Sequence, residues 1–483
     1  MISFALNSHD HNTYDGAFHN QIERHSRKKH NLPYSNSKKF YNETYLKHTE
    51  NKCLTFTRFG LKSIGKIHID TDFLDFKPYN LWDYVFKDNV YYIDHHQSHA
   101  CYAFLSSQFK ESDILAIDGS GSNFKCIFVT TNGEIKDLSN KLPIGLLWDK
   151  FSEKLNFGTF GAGKLMGLSG YGTYHQYYEN LLDYLIDDVD NFKTNIKLLQ
   201  IGNKKNLAFN LQYFTIKKII SNILPLKTSN NLCISGGVGY NGYLNEALTN
   251  YWEKVFVPPA VGDEGQSLGS FMHYEYTNNN NIHIPNVFAG KEYTINEKIF
   301  DGLSYEKRKD FDTFAAKEIS EGKIIGWFQG KSESGNRALG NRSILADPRN
   351  PNIKNIINNQ VKRREDFRPF APAVLEDYYD EYFDTKYPSP YMSRICKVKS
   401  DKIPGVTHID NTARIQTVNK KFNKKFYNVI NKFYNITNVP ILLNTSFNCH
   451  EPIVETPEDA VNTFKYTNLD TLIIDNYVVK KKY

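Results

Sequence analysis

Apolar residues fall in short runs broken by turn-forming residues. Residues 113–135, DILAIDGSGSNFKCIFVTTNGEI, interleave apolar runs with a Gly-rich turn and an Asn-Gly turn, which predicts a strand, a loop, a second strand and a third closing a hairpin. Residues 231–248, NLCISGGVGYNGYLNEAL, predict a strand ending at Gly236 and Gly237 and then a helix, an order that can aim backbone N–H groups at a phosphate. The stretch 276–294, YTNNNNIHIPNVFAGKEYT, has neither a helical nor a strand period and reads as a linker, with a domain boundary near residue 290. Beyond it, FAAKEISEGKIIGWFQG predicts a helix feeding a strand, while VPILLNTSFN and LDTLIIDNYVV predict further strands. The first part reads as α/β and the second as α+β.

At 483 residues the chain is long enough for two or three cores. No apolar stretch approaches the ~18 residues needed to span a bilayer, and the start lacks the charged and apolar regions of a signal peptide. A soluble, cytoplasmic protein without a membrane partner is expected. Six cysteines without a CxxC pair argue against a zinc ribbon or a disulfide framework and suit a reducing compartment. The net charge of +6 is local: Lys323 to Arg368 hold ten Lys/Arg against four Asp/Glu, and the remainder is neutral. Such a patch suits a phosphate-bearing ligand at least as well as a long duplex.

In IDHHQSHACYAFL, His95 and His99 are four apart and would share a helix face, where they could meet one metal. A half-buried histidine pair without metal is the other reading. Asp118, where ILAI gives way to DGSG, could add a carboxylate suited to iron or zinc, or simply form the turn. Asp263, at the mouth of a Gly-rich turn leading to a helix, reads on its own more readily as a helix cap. His9 could act as a general base, its imidazole taking a proton from a hydroxyl, or be structural. In residues 330–375, Arg337, Arg342, Arg349, Arg368 and Lys362 are interleaved with Gly, Pro and apolar runs, so some must point inward, where guanidinium forks suit phosphate oxygens. Ion pairs with Glu333, Asp347, Glu365 and Asp366 are the plainer alternative. Arg414, Asn444, Thr445, Ser446 and Asn448 stand in strand and loop contexts where they could finish a polar pocket.

Ordered motifs along almost the whole chain resemble the NodU/CmcH-type O-carbamoyltransferase family: SHD, DHHQSHA, IDGSG, GKLMGLSGYG, SGGVGYNGYLN, PPAVGDEGQSLG, GWFQGKSESGNRALGNRSILADPR, VKRREDFRPFAP, HIDNTARIQTV and ILLNTSFNCHEPIVETPEDA. The resemblance implies an actin-like ATPase-fold domain over residues 1–290, of the sugar kinase and heat-shock chaperone type, and a YrdC-like domain over 291–483. It implies that the second domain makes carbamoyladenylate from carbamoyl phosphate and ATP with Mg2+, and that the first passes the carbamoyl group to a hydroxyl. By motif position, His95, His99, Asp118 and Asp263 resemble ligands of Fe2+ or Zn2+, and His9 the base. Arg337, Lys362, Arg414 and Ser446 resemble the residues that bind carbamoyl phosphate and ATP, and Asn444 adjoins them. Gly236, Gly237 and Asn241, joined by Lys164, resemble a nucleotide cradle. The acceptor implied is a sugar, a secondary metabolite, or a hydroxymethylated pyrimidine in a nucleotide or DNA, and a homodimer is compatible with the resemblance. Two alternatives stay open: a tRNA threonylcarbamoyl-transfer enzyme, and a non-catalytic nucleotide-binding protein on the same fold.

Overall fold

The structure, a computed structural model, describes residues 2–5, 12–21, 23–24, 27, 54–57, 90–119, 121, 124–187, 195–196, 200–279 and 282–482. The chain divides into two compact units: Met1–Leu147 with Ile219–Tyr240 and Trp252–Ala289, and Trp148–Lys218 with Asn241–Tyr251 and Gly290–Tyr483. Sequence before residue 290 thus contributes to both.

The first unit contains two mixed five-stranded sheets. One runs His19–Gln21, Asn12–Tyr14, Ile2–Ala5, Leu54–Thr57, Val90–Tyr92. The other runs Ile135–Asp137, Cys126–Val129, Asp113–Ile117, Asn231–Ser235, Lys254–Phe256. In each, the first strand in the chain lies centrally, pairs antiparallel with a meander on one side and is parallel to the later strands on the other. One topology therefore occurs twice. The expected hairpin of 113–135 is present, and its first strand is buried at all five positions, which fits the apolar run DILAI.

Helix His95–Ser107 packs Ala100 and Ala103 against Ile114, Ala116, Ile127 and Cys233 of the second sheet. Its start is fixed by Asp94, whose carboxylate accepts the N–H of His96 and of Gln97. Helix Gln266–Asn279 crosses it closely: a Cβ on Gly269 would stand 2.1 Å from the Ser98 carbonyl oxygen. This second helix includes Asn279, so the Asn-rich stretch expected to be a linker opens as a helix end.

The second unit is built on a ten-stranded mixed sheet whose middle strands are Ile325–Phe328, Arg342–Ala346, Ile441–Ser446, Ala371–Leu375 and Thr412–Val418. Helix Lys424–Thr437 buries Phe426, Val429, Ile430 and Phe433, spaced i, i+3, i+4 and i+7, as a helix with one apolar stripe must. At ~1.5–3 kcal/mol for each buried side chain, that stripe alone contributes about 6–12 kcal/mol before entropy is counted. Asn423 caps it by accepting the Phe426 N–H.

Candidate metal centre and phosphate site

In the first unit, His95 and His99 lie one helical turn apart, and Asp118 leaves the end of the adjacent strand Asp113–Ile117. Asp263 opens the turn Asp263–Gly265 that leads into helix Gln266–Asn279. The Nε2 atoms of His95 and His99 stand 3.4 and 3.1 Å from Asp118 Oδ2, and 3.3 and 3.4 Å from Asp263 Oδ1. All four candidate ligand atoms lie within 4.8 Å of one another. The other oxygen of Asp118 accepts the Gly119 N–H at 2.7 Å, which fixes the carboxylate's direction.

This donor set, two imidazole nitrogens and two carboxylate oxygens in a buried pocket, fits a borderline cation such as iron or zinc. The electrostatics fit as well. Burial by itself lowers the His99 pKa, but hydrogen bonds and charge from Asp118 and Asp263 overcome it and lift it to about 9. Burial raises the Asp118 pKa, yet the two histidines hold it well below the usual carboxylate range. The pocket therefore favours positive charge. His96 faces elsewhere, against Gly121 and Phe124, and burial followed by the charges of His95 and His99 lowers its pKa to about 4.

Residues outside the sequence-based candidates hold this cluster. Asn12 donates to the Asp263 carbonyl at 2.8 Å and accepts the Ser267 N–H at 3.0 Å, clamping the turn that carries Asp263. Gln266 donates to the His95 carbonyl at 3.1 Å, and Ser98 donates to the Gln266 carbonyl at 2.9 Å. The available signal was position alone: Asn12 follows His9 by three, and Gln266 follows Asp263 by three.

Gly236 has φ +88°, and a Cβ there would stand 2.2 Å from the Ile117 oxygen. On Gly237 it would stand 2.9 Å from Asp118 Oδ1. These glycines thus adjoin the carboxylate cluster. A 3-10 turn, Gly237–Tyr240, precedes helix Gly242–Leu248, so the glycines do not open that helix directly as expected. Asn241 and Lys164 belong to the second unit. Asn241 caps that helix through the Leu244 N–H and exchanges two 3.1 Å amide hydrogen bonds with Gln212. Lys164 pairs with Glu365 at 3.0 Å. His9 lies outside the described residues.

In the second unit, Lys362 closes a π-helical turn, Ile357–Lys362, and is 1% exposed. Its ammonium donates to the Ser446 carbonyl, to Ser446 Oγ at 3.2 Å and to Asn448 Oδ1 at 2.7 Å. Strand register sets Asn444 opposite Ala371 and Gln416 opposite Ala373. With side chains alternating along each strand, Arg414, Gln416, Asn444 and Ser446 share one sheet face. Arg414 donates to the Met392 carbonyl at 2.8 Å and meets Met166 Sδ at 3.6 Å. Met166 lies on the GKLMGLS helix with Lys164.

The arginines divide by role. Arg342 is fully buried, donates to the carbonyls of Gln329, Gly330 and Asn341 at 2.8–3.0 Å, and lies over the Phe328 ring, so it is part of the core. Arg349 pairs with Asp347 at 2.6 Å. Arg368 pairs with Glu365 at 3.6 Å, and burial lowers its pKa, which Glu365 opposes and the Arg337 charge reinforces. Glu333, a candidate ion-pair partner, instead accepts the backbone N–H groups of Leu339 and Asn341 at 2.5 and 3.2 Å.

Residues 3–214 and 192–272 match the family described as Carbamoyltransferase N-terminus, and residues 316–481 match Carbamoyltransferase C-terminus. The chain belongs to the carbamoyltransferase family, a family of transferase enzymes. Nodulation protein NolNO of Sinorhizobium fredii is 36% identical over 440 residues, which is 81% of this chain and 64% of that protein. Nodulation protein NolO of Bradyrhizobium diazoefficiens is 34% identical over 434 residues, 81% of this chain and 79% of that one. Nodulation protein U of Sinorhizobium fredii is 34% identical over 47% of this chain and 41% of its own length. Among solved structures, full-length HypF in a phosphate- and nucleotide-bound form is 17% identical over 37% of this chain and 22% of that chain, with a TM-score of 0.25. No helix among the described residues is long and apolar enough to cross a membrane.

Proposed function

We propose that the protein is an ATP-dependent O-carbamoyltransferase with two chemically distinct sites. The observation that carries the reading is the cluster of His95, His99, Asp118 and Asp263 in a chain of the carbamoyltransferase family. The duplicated sheet topology supports an actin-like ATPase fold over residues 1–290, and the resemblance of the later motifs supports a YrdC-like domain over 291–483.

In the second domain, carbamoyl phosphate, ATP and one water would yield carbamoyladenylate, pyrophosphate and phosphate, with Mg2+ accompanying the nucleotide. Arg337 and Arg414 hold phosphate oxygens, and Lys362, kept in place by Ser446 and Asn448, offsets charge that develops on them. Asn444 supports this site from the sheet.

In the first domain, His95, His99, Asp118 and Asp263 would hold Fe2+ or Zn2+, which when bound supplies a Lewis acid for carbamoyl or phosphate oxygens. The motif resemblance assigns Gly236 and Gly237 of this unit, and separately Asn241 and Lys164, to nucleotide binding. His9 takes the proton of the acceptor hydroxyl, whose oxygen bonds to the carbamoyl carbon as AMP departs. Acceptor classes are a sugar, a secondary metabolite or a hydroxymethylated pyrimidine.

The test is incubation of the pure protein with ATP, carbamoyl phosphate and Mg2+, without acceptor, followed by mass spectrometry. Pyrophosphate and carbamoyladenylate are expected. Their absence from folded, metal-loaded protein, with or without candidate acceptors, would overturn the reading.

A further inference from the structure

Three consecutive backbone carbonyls follow Arg337, and each is bound by a side chain from a different strand. The Ala338 oxygen accepts from Asn444 Nδ2 at 3.0 Å, the Leu339 oxygen from Gln416 Nε2 at 2.9 Å, and the Gly340 oxygen from Trp327 Nε1 at 2.9 Å. Asn444 spends its second N–H on Gln416 Oε1 at 2.8 Å, which ties two of the three donors together. The donors belong to strands Ile441–Ser446, Thr412–Val418 and Ile325–Phe328, and all three side chains are at most 1% exposed.

The opposite polarity of the segment is met by Glu333, whose Oε1 takes the Leu339 and Asn341 N–H groups. Gly340 makes the close seating feasible: its φ is +108°, and a Cβ there would stand 2.2 Å from the Phe426 ring. Both the N–H and the C=O of Leu339 are therefore bound, which ties the backbone next to Arg337 to the sheet and to Glu333.

We infer that Gln416 is a positioning residue for Arg337, acting through the Leu339 carbonyl to preset the guanidinium for a phosphate group. The inference rests on the assignment of Arg337 to the phosphate site. Sheet and loop meet here because Ala371 and Ala373, on the strand between Asn444 and Gln416, are small enough for the two amides to reach each other. A guanidinium fork must align with two oxygens at once, so a loop displaced by ~1 Å loses most of its value, on the order of 10²-fold.

The experiment combines a mutant cycle with hydrogen exchange. Gln416→Leu is expected to lower kcat/KM for carbamoyl phosphate in pyrophosphate release by about 10²-fold, and Gln416→Asn, whose amide falls short of Leu339, by less. In Arg337→Met, adding Gln416→Leu should cost nothing further, because both changes disable the same contact. Peptides covering 334–342 should exchange faster in Gln416→Leu by more than its lowered stability speeds exchange in the other peptides of the second unit. Additive losses in the double variant, or unchanged exchange with unchanged KM, would overturn the inference. If Gln416→Leu fails to fold, the same two readings are taken on Gln416→Asn. Should wild-type protein release no pyrophosphate, the reading of the reaction fails, and the clamp is judged by exchange and by binding of pyrophosphate alone to the same four proteins.

Discussion

Replacing Gly269 by Ala tests how the metal cluster is held. The added Cβ would lie 2.1 Å from the Ser98 carbonyl oxygen, about 1.2 Å inside the ~3.3 Å at which a C–H and a carbonyl normally meet. Ser98 immediately precedes His99, and Asp263 opens the turn that leads into the Gly269 helix. Relieving the clash separates the two helices and therefore the histidines from Asp263. Metal sites tolerate only ~0.2 Å in ligand distance, so a shift approaching 1 Å should weaken metal affinity by at least about 10²-fold. Overpacking costs roughly 1–3 kcal/mol of a total stability near 5–15 kcal/mol, so the variant should still fold. The assay is metal content of purified protein by mass spectrometry, with competition against a chelator to give the affinity. Gly163→Ala is the control, since nothing lies within 4 Å of its Cβ. A Gly269→Ala protein that keeps metal with wild-type affinity would refute the argument that this helix crossing sets the cluster.

Arg342→Met removes three hydrogen bonds to buried carbonyls and should lower stability by at least about 3 kcal/mol in thermal or urea unfolding, whereas Arg337→Met should leave the melting temperature alone and raise KM for carbamoyl phosphate. Lys362→Met should slow pyrophosphate release by about 10²–10³-fold; a normal rate would remove Lys362 from the reaction. His9→Ala should spare pyrophosphate release but block transfer to an acceptor, and a variant that carbamylates at the normal rate would remove His9 as the base. Chelation should lower the melting temperature of the first unit, and metal at a hundred times its Kd should restore about 2.7 kcal/mol; no shift in melting on adding Fe2+ or Zn2+ would count against the cluster as a metal site.

Much of the site could be read from the amino-acid order. The strand, turn and strand of 113–135 and the His95/His99 pair are local patterns, with periods of two and of three to four residues, and such patterns survive folding unchanged. The motifs that place Asp118 and Asp263 beside them were recognisable by resemblance, and the cluster is there. Local pattern failed where a helix ran farther than its composition suggested, as at Asn279, because packing of its apolar positions against Tyr14 and Tyr102 outweighs weak propensity in the Asn-rich end.

The roles of the polar residues are of another kind. The arginines of 330–375 look alike along the chain, yet Arg342 is core, Arg349 is paired with Asp347 and Arg368 with Glu365. Asn241 caps a helix and also binds Gln212, a pairing its own neighbours in the chain do not signal, while Gln416 carried no local signal and holds a carbonyl 77 residues away in the chain. A hydrophobic run needs only an apolar neighbour of any identity, so its fate is written in its own spacing. A buried amide or guanidinium must find particular partners at hydrogen-bond distance, and strand register between distant segments settles which partners those are.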